Sequence, residues 1–241
     1  MFNHFFLPFP AEFFYFHTMC GRKTLTRDMQ SIIEELAVEE WEDPEAYVPS
    51  YNIAPTQRSP ILLFTGHRTV RLMRWGLIPR WAKDARRAAH LINARVETVL
   101  EKPSFRPLIA DHRCIVIADG YYEWKREGPS KQPFYFRHPE GKLLLMAGLW
   151  DGWTSPEDEV WNTYTIITKP AIRPLAHIHT RMPVILPPEI IDTWLRPGGD
   201  PSRDLLPLLN EVRPRLQMYA VSSRVNSPRN NSPECILPLH S

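Results

Sequence analysis

Proline sets the first limit on what this chain can fold into. There are 25 prolines among 241 residues, about twice the usual frequency of roughly 5%. Each one fixes φ and removes a backbone donor, which excludes it from helix interiors and from central positions in a sheet. The sequence therefore predicts short strands and short helices joined by many turns. Hydrophobic content of 43% is ordinary for a soluble globular protein, and with neither a repeat nor a long linker a single domain is expected.

Local patterning fills in the elements. Asp28 is placed to cap a helix in which Met29, Ile32, Ile33 and Leu36 recur at helical spacing, ending before Pro44. Ile61 to Phe64 and Thr69 to Trp75 read as a hairpin about Gly66. Cys114 to Ala118, Tyr121 to Lys125, Phe134 to Arg137, Leu143 to Trp150, Val160 to Thr168, Val184 to Leu186 and Leu216 to Val221 are strand-like, rich in branched and aromatic residues between Gly, Pro and Asn signals. Helices are expected around Ala82 to Ala89, Pro188 to Leu195 and Ser202 to Leu209. Strands dominate and helices are scattered between them. The reading is α+β: a largely antiparallel, strongly curved or barrel-like sheet with peripheral helices.

The first residues stand apart. Met1 to Thr18 contain no Lys or Arg, and Pro8, Pro10 and Glu12 interrupt their apolar run. A secretory signal needs a basic start and a continuous apolar stretch, and a bilayer span needs more length. Residues 1–18 are expected to be an upstream extension or a removable propeptide outside the fold, with an aromatic docking arm as the third reading; the single domain runs over 19–241. Three cysteines without a C-x-x-C pair leave an odd number, which fits a reducing cytosol. Charge is uneven. Asp28 to Glu45 holds eight acids and no base, whereas Arg68 to Arg113 holds eleven bases against four acids, so one face suits a polyanion or is simply a solvated basic surface.

Cys20 directly follows Met19, the arrangement by which initiator-methionine removal creates an N-terminal cysteine. With Met19 as the start, or with the preceding residues clipped, Cys20 carries an α-amine beside its thiol. These groups titrate near pH 8 and 8.5, so a useful fraction of each is expected to be nucleophilic at neutral pH. A 1,2-aminothiol condenses with an aldehyde to an imine that the thiol closes to a thiazolidine. The other reading is a buried cysteine after an incidental methionine. Glu123 follows an apolar strand and sits between Tyr122 and Trp124; desolvation there would raise its pKa and equip it for proton transfer, unless it is a strand-edge carboxylate paired with an arginine. Asn93 is placed to orient a reacting group or to hold a turn. His177 and His179 would share a face of an extended strand, but no third ligand has convincing spacing, and no metal site or cofactor is expected.

Met19-Cys20-Gly21-Arg22, Tyr51-Asn52-Ile53-Ala54-Pro55-Thr56, Trp75-Gly76-Leu77-Ile78-Pro79, Ile92-Asn93-Ala94-Arg95-Val96-Glu97-Thr98, Asp119-Gly120-Tyr121-Tyr122-Glu123-Trp124, Ala147-Gly148-Leu149-Trp150 and His179-Thr180-Arg181-Met182-Pro183 together resemble the motif set of the SRAP (SOS response-associated peptidase) family, in the family's order. The resemblance runs from Met19 to the region of Val225 and Asn226. It implies a bifurcated sheet wrapped into a pseudo-barrel, and a protein that senses abasic sites in single-stranded DNA and crosslinks to them. It implies roles for Cys20, Asn93, Glu123 and His179 as catalytic residues and for the arginine Arg95; Arg22, Arg95 and Arg181 are expected to bind flanking phosphates bidentately. Asn52 is placed with the DNA contacts, and Trp75 and Trp81 either stack on bases or belong to the core. Two alternatives remain, a cysteine peptidase or autopeptidase using Cys20, His179 and Glu123, and a non-catalytic single-strand binder. A cytoplasmic location, nucleoid-associated on DNA, is expected, as is a monomer that does not engage membranes; protein partners stay open.

Overall fold

A computed structural model describes residues 20–85 and 90–239. In chain order the first half forms β1 (Lys23–Leu25), α1 (Met29–Leu36), β2 (Glu40–Trp41), β3 (Ser50–Ile53), β4 (Arg58–Phe64), β5 (Arg68–Trp75), β6 (Asn93–Arg95) and β7 (Arg113–Ala118). There follow β8 (Gly120–Glu127), β9 (Ser130–Arg137), β10 (Leu144–Thr154), β11 (Val160–Pro170), β12 (Arg181–Pro183) and β13 (Ile185–Leu186). Short helices α2 (Ile191–Leu195), α3 (Pro201–Asp204) and α4 (Leu206–Glu211) lead to β14 (Gln217–Ala220).

Five strands close on themselves. Antiparallel pairing runs β11, β10, β7, β4, β5, and a parallel pair between β5 and β11, with Arg74 opposite Thr163 and Trp75 opposite Tyr164, completes the ring. Closure leaves these strands no free edge. Trp75 seals the seam: it is fully buried, its ring stacks on Tyr164 with centroids 6.2 Å apart, and its indole N–H donates to Ile92 O at 3.0 Å. Cys114 to Ala118 of β7 are completely enclosed, as residues on both faces of a strand covered on each side must be.

The sheet splits at one residue. β7 belongs to the barrel, whereas β8 belongs to a second sheet of order β14, β9, β8, β1, β3, and only Asp119 lies between them. The Asp119 carboxylate fixes the change of direction by accepting the Thr24 hydroxyl, the Thr26 N–H at 2.5 Å and the Thr26 hydroxyl at 2.6 Å. Gly120 is required immediately after the bend, because a Cβ there would stand 2.2 Å from the Tyr135 hydroxyl. The curved, mostly antiparallel, bifurcated sheet with peripheral helices is therefore the fold of this chain.

Two expectations need correction. β10 and β11 are each 11 residues long, because the prolines are unevenly spread: β10 contains none and Pro170 terminates β11. The single helix expected over Ser202 to Leu209 is two helices, since Pro207 lacks an N–H and restarts the chain in the first turn of α4. The Asp28 cap forms as expected, with Ser31 N donating to its carboxylate at 2.9 Å. The expectations for residues 1–18, and for the later part of the helix around Ala82 to Ala89, lie outside the described residues. No helix among the described residues is long and apolar enough to cross a membrane.

Candidate active site

The reactive groups meet where the two sheets diverge. Cys20 lies just ahead of β1, buried at 3% exposure and held at φ 43°, a left-handed conformation uncommon for a residue with a Cβ. Antiparallel pairing of β1 with β8 sets Lys23 opposite Tyr121 and Thr24 opposite Gly120; followed outward, that register puts Gly21 opposite Glu123 and leaves Cys20 one residue beyond, within reach of its carboxylate. Its backbone nitrogen donates to Glu123 Oε1 at 2.6 Å. His179 Nδ1 approaches the same oxygen at 3.7 Å, so one carboxylate from the smaller sheet faces the cysteine nitrogen and a histidine from the barrel side.

Burial governs the electrostatics. Desolvation raises the Glu123 carboxyl above its ordinary range, against the opposing pull of His179 and of the hydrogen bonds from Cys20. Burial also pushes the Cys20 thiol well up, Glu123 adds to that, and Arg181 offsets part of it. The expected ready supply of thiolate at neutral pH is thus corrected: in this enclosed site the sulfur needs a proton acceptor as it reacts. His179 Nδ1 lies 3.2 Å from both the Arg181 backbone N and O. A neutral ring protonated on Nε2 accepts the Arg181 N–H, and an Nδ1-protonated ring donates to the Arg181 carbonyl, so either tautomer is held in the same place.

The remaining predicted residues divide into three groups. On the barrel side, Asn93 and Arg95 lie on β6, which runs beside Ile166 to Thr168 of β11; the Asn93 Oδ1 is buried and Arg95 is exposed. Arg181, at the start of β12, forms a two-pronged pair with Glu97 and donates to Thr168 O at 2.7 Å. Arg22 and Asn52 are engaged with the C-terminal chain, Arg22 donating to Val225 O at 2.6 Å and Asn52 to Asn230 O at 2.7 Å. The tryptophans separate: Trp81 is 61% exposed and able to stack, whereas Trp75 is enclosed in the barrel seam, which assigns it to the core. His177 and His179 do not share a strand face, because residues 173–178 are a turn. Among the described residues no group of three His, Cys, Asp or Glu is placed to hold a metal ion.

The sequence profile of the SOS response associated peptidase (SRAP) family matches residues 19–228. The chain belongs to this family. A curated SRAP relative, abasic site processing protein YoqW of Bacillus subtilis (strain 168), is 42% identical over 221 residues, covering 90% of this chain and 99% of its own. Abasic site processing protein HMCES of Pongo abelii is 36% identical, covering 92% of this chain and 76% of its own. Among solved structures, a protein from Bacteroides thetaiotaomicron superposes with a TM-score of 0.81 at 26% identity, covering 92% of this chain and all of its own.

Three features of this SRAP chain escaped the sequence reading. Tyr121 packs within electrostatic reach of Cys20 and Glu123, a position that the strand alternation from Glu123 would have indicated. Lys23 is completely buried and reaches across the split to donate to Ile117 O at 2.9 Å. The chain around Val225 and Asn226 binds Arg22; that stretch marked the end of the resemblance, yet no chemistry had been read from it.

Proposed function

We propose that this protein captures abasic sites in single-stranded DNA through Cys20, forming a stable thiazolidine. The observation that carries the reading is the 2.6 Å approach of the Cys20 nitrogen to a buried Glu123 carboxylate. An abasic deoxyribose opens to an aldehyde at C1′, and a free Cys20 amine attacks that carbon. The carbinolamine oxygen leaves as water, taking a proton that protonated Glu123 supplies, and an imine remains. The Cys20 sulfur then adds to C1′ as its thiol proton passes through Glu123 to the ring nitrogen. His179, near the same carboxylate oxygen, partly offsets the burial that favours the protonated carboxyl. Arg95 and the exposed Trp81 supply a phosphate contact and a stacking face. The names of the curated relatives support a role in processing abasic DNA, and with it a DNA-associated protein.

The reaction requires a free α-amine, so its active form begins at Cys20, by initiation at Met19 and methionine removal or by cleavage. A thiol peptidase is the weaker reading, because burial, and after it the neighbouring Glu123 carboxylate, raises the cysteine pKa where such an enzyme lowers it. The test uses protein with a free Cys20 amine and an oligonucleotide carrying one abasic site. A heat-stable adduct mapped to Cys20, lost in Cys20→Ala with non-covalent binding retained, is the expected result. A stable adduct persisting in Cys20→Ala overturns the reading; peptide cleavage without an adduct selects the peptidase, and retention alone a simple binder.

A further inference from the structure

The chain after Ser222 is bonded to both segments that carry the reactive groups, and it approaches them from behind. On β8, Tyr121 and Glu123 face one way while Tyr122 and Trp124 face the other, the ordinary alternation of a strand. Arg22, two residues from Cys20, donates from Nη1 to Val225 O at 2.6 Å and from Nη2 to Asn226 O at 3.0 Å. Trp124, next to Glu123, donates its indole N–H to Asn226 Oδ1 at 2.7 Å. The Arg22 guanidinium also lies 5.9 Å from the Trp124 ring centroid. Asn226 thus accepts one bond from the nucleophile's segment and one from the strand of the acid and base.

The latch itself is held firmly. Asn52 Oδ1 accepts from Arg22 Nη1 at 2.8 Å, and its Nδ2 reaches the carbonyls of Val225 at 3.2 Å, Ser227 at 3.0 Å and Asn230 at 2.7 Å. Val225 is fully buried in a small cluster with Tyr122, Tyr135 and Val221. Residues 20–22, by contrast, precede β1 and lack its sheet pairing. Their backbone is tied to β8 through Tyr122 N–H to Arg22 O at 3.0 Å. Where Cys20 sits therefore depends on a few bonds, those of the Arg22 side chain among them.

We propose that Asn226 is a positioning residue for the capture reaction, and that the Val225–Asn226 turn is a latch setting Cys20 against Glu123 through Arg22 and Trp124. The proposal rests on Cys20 being the reactive residue. It also gives Arg22 and Asn52, expected to touch DNA, a role in holding the latch.

The test compares wild type with Asn226→Ala, Trp124→Phe and Asn226→Asp, the last of which keeps the oxygen acceptor. The full chain is alkylated with iodoacetamide across pH, and modification of Cys20 is followed by peptide mass mapping. Glu123, His179, Arg181 and Tyr121 face the thiol in every variant, so a change in its titration reports its release from burial. Asn226→Ala and Trp124→Phe should shift the Cys20 midpoint down, and Asn226→Asp should match wild type. With abasic oligonucleotide and a free Cys20 amine, the first two should crosslink about three- to tenfold more slowly, the scale of one lost hydrogen bond, at unchanged Kd. The double variant should be no slower than either single one, because both remove the same bond. An unshifted midpoint in Asn226→Ala, or a loss of affinity that accounts for the slower rate, overturns the latch. If wild type forms no adduct the crosslinking reading fails, and the alkylation midpoint still decides whether the latch exists.

Discussion

The barrel and the smaller sheet are held together by different means. Nearly all of the large apolar cluster lies in and around the barrel, with Leu62, Val70, Val116, Ala147 and Ile167 among its enclosed residues. The smaller sheet has a second cluster of only Tyr122, Tyr135, Val221 and Val225, with Trp124, Tyr219 and Ile236 at its margin. Its other face gives Leu25, Ile53, Tyr121 and Phe136 to the large cluster, and much of its remaining cohesion is polar: Asp119 on Thr24 and Thr26, the Tyr122 hydroxyl on Tyr51 O at 2.7 Å, and Arg22 and Asn52 on the C-terminal chain. Apolar burial is non-directional, whereas hydrogen bonds fix angles and distances. The barrel thus supplies most of the stability, while the smaller sheet supplies the aim of Cys20 and Glu123.

Glu123→Gln is the sharpest change to the second region. The replacement is nearly isosteric and still accepts the Cys20 N–H, so the fold should persist while crosslinking slows by about 10²–10⁴-fold, the range for a lost general acid or base. Its pH dependence should change as well. Burial holds the wild-type carboxyl protonated to higher pH than usual, so the acid form is lost, and the rate limb it supports declines, as pH rises through that raised value. Gln does not titrate, and that limb should vanish from a rate–pH profile. A wild-type rate in the folded variant would make Glu123 structural and move proton transfer to His179 or water.

Trp75→Ala breaks the first region. It removes a fully buried ring from the seam and takes away one of the two donors to Ile92 O, leaving only the Ile166 N–H, at a cost of about 3–5 kcal/mol in stability. For a chain of this size that lowers Tm by roughly 10 °C, readable by calorimetry. Crosslinking per folded molecule at 25 °C should stay close to wild type. A large fall in that rate with little loss of Tm would place Trp75 at the DNA after all.

Lys23 joins the two regions, running from β1 of one sheet to the Ile117 carbonyl in the other. Burial lowers its pKa from 10.5 to about 7, so the unfolded chain binds the extra proton between those values. The stability associated with a neutral Lys23 is fully present above pH 10.5, declines as pH falls toward 7, and changes no further below that. Urea unfolding of wild type against Lys23→Met should therefore show a stability difference that favours the variant most below pH 7 and narrows through alkaline pH. A constant difference across that window would mean that Lys23 stays charged.

These contrasts also explain what could be read in advance. The barrel strands announce themselves, since Cys114 to Ala118 is an unbroken apolar run and the hairpin about Gly66 carries its own turn signal. β1, β2, β3, β6 and β12 run to only two to four residues, too short to show a period, and they form because long-range partners exist. In the site, Cys20 and Glu123 are legible because a methionine–cysteine pair and an acid between aromatics are local oddities. The latch is invisible locally: Arg22 and Asn226 are 204 positions apart, and backbone carbonyls, which accept most of the bonds, look alike in any sequence. Trp75 and Trp81 are indistinguishable as residue types. Only the parallel closure of β5 on β11 decides which of them is enclosed.

The weakest test addresses the barrel's rim. Arg95 is exposed at the end of β6, whereas Arg181 is tied to Glu97 and to the Thr168 carbonyl. An exposed guanidinium can meet a phosphate without surrendering a protein partner, and each such contact releases condensed counterions. Arg95→Ala should thus weaken binding to abasic and intact single strands alike and reduce the slope of log K against log salt by about 0.7. Its Tm should hardly move, because a solvent-facing side chain away from the core contributes little, within about 0.5 kcal/mol. Arg181→Ala should behave differently, losing stability as well as affinity, since Glu97 and Thr168 are left without their donor. Equal salt slopes for wild type and Arg95→Ala, measured by fluorescence anisotropy between low and moderate salt, would remove the barrel rim from the DNA path. The binding surface would then have to be sought on the smaller sheet beside the reactive groups.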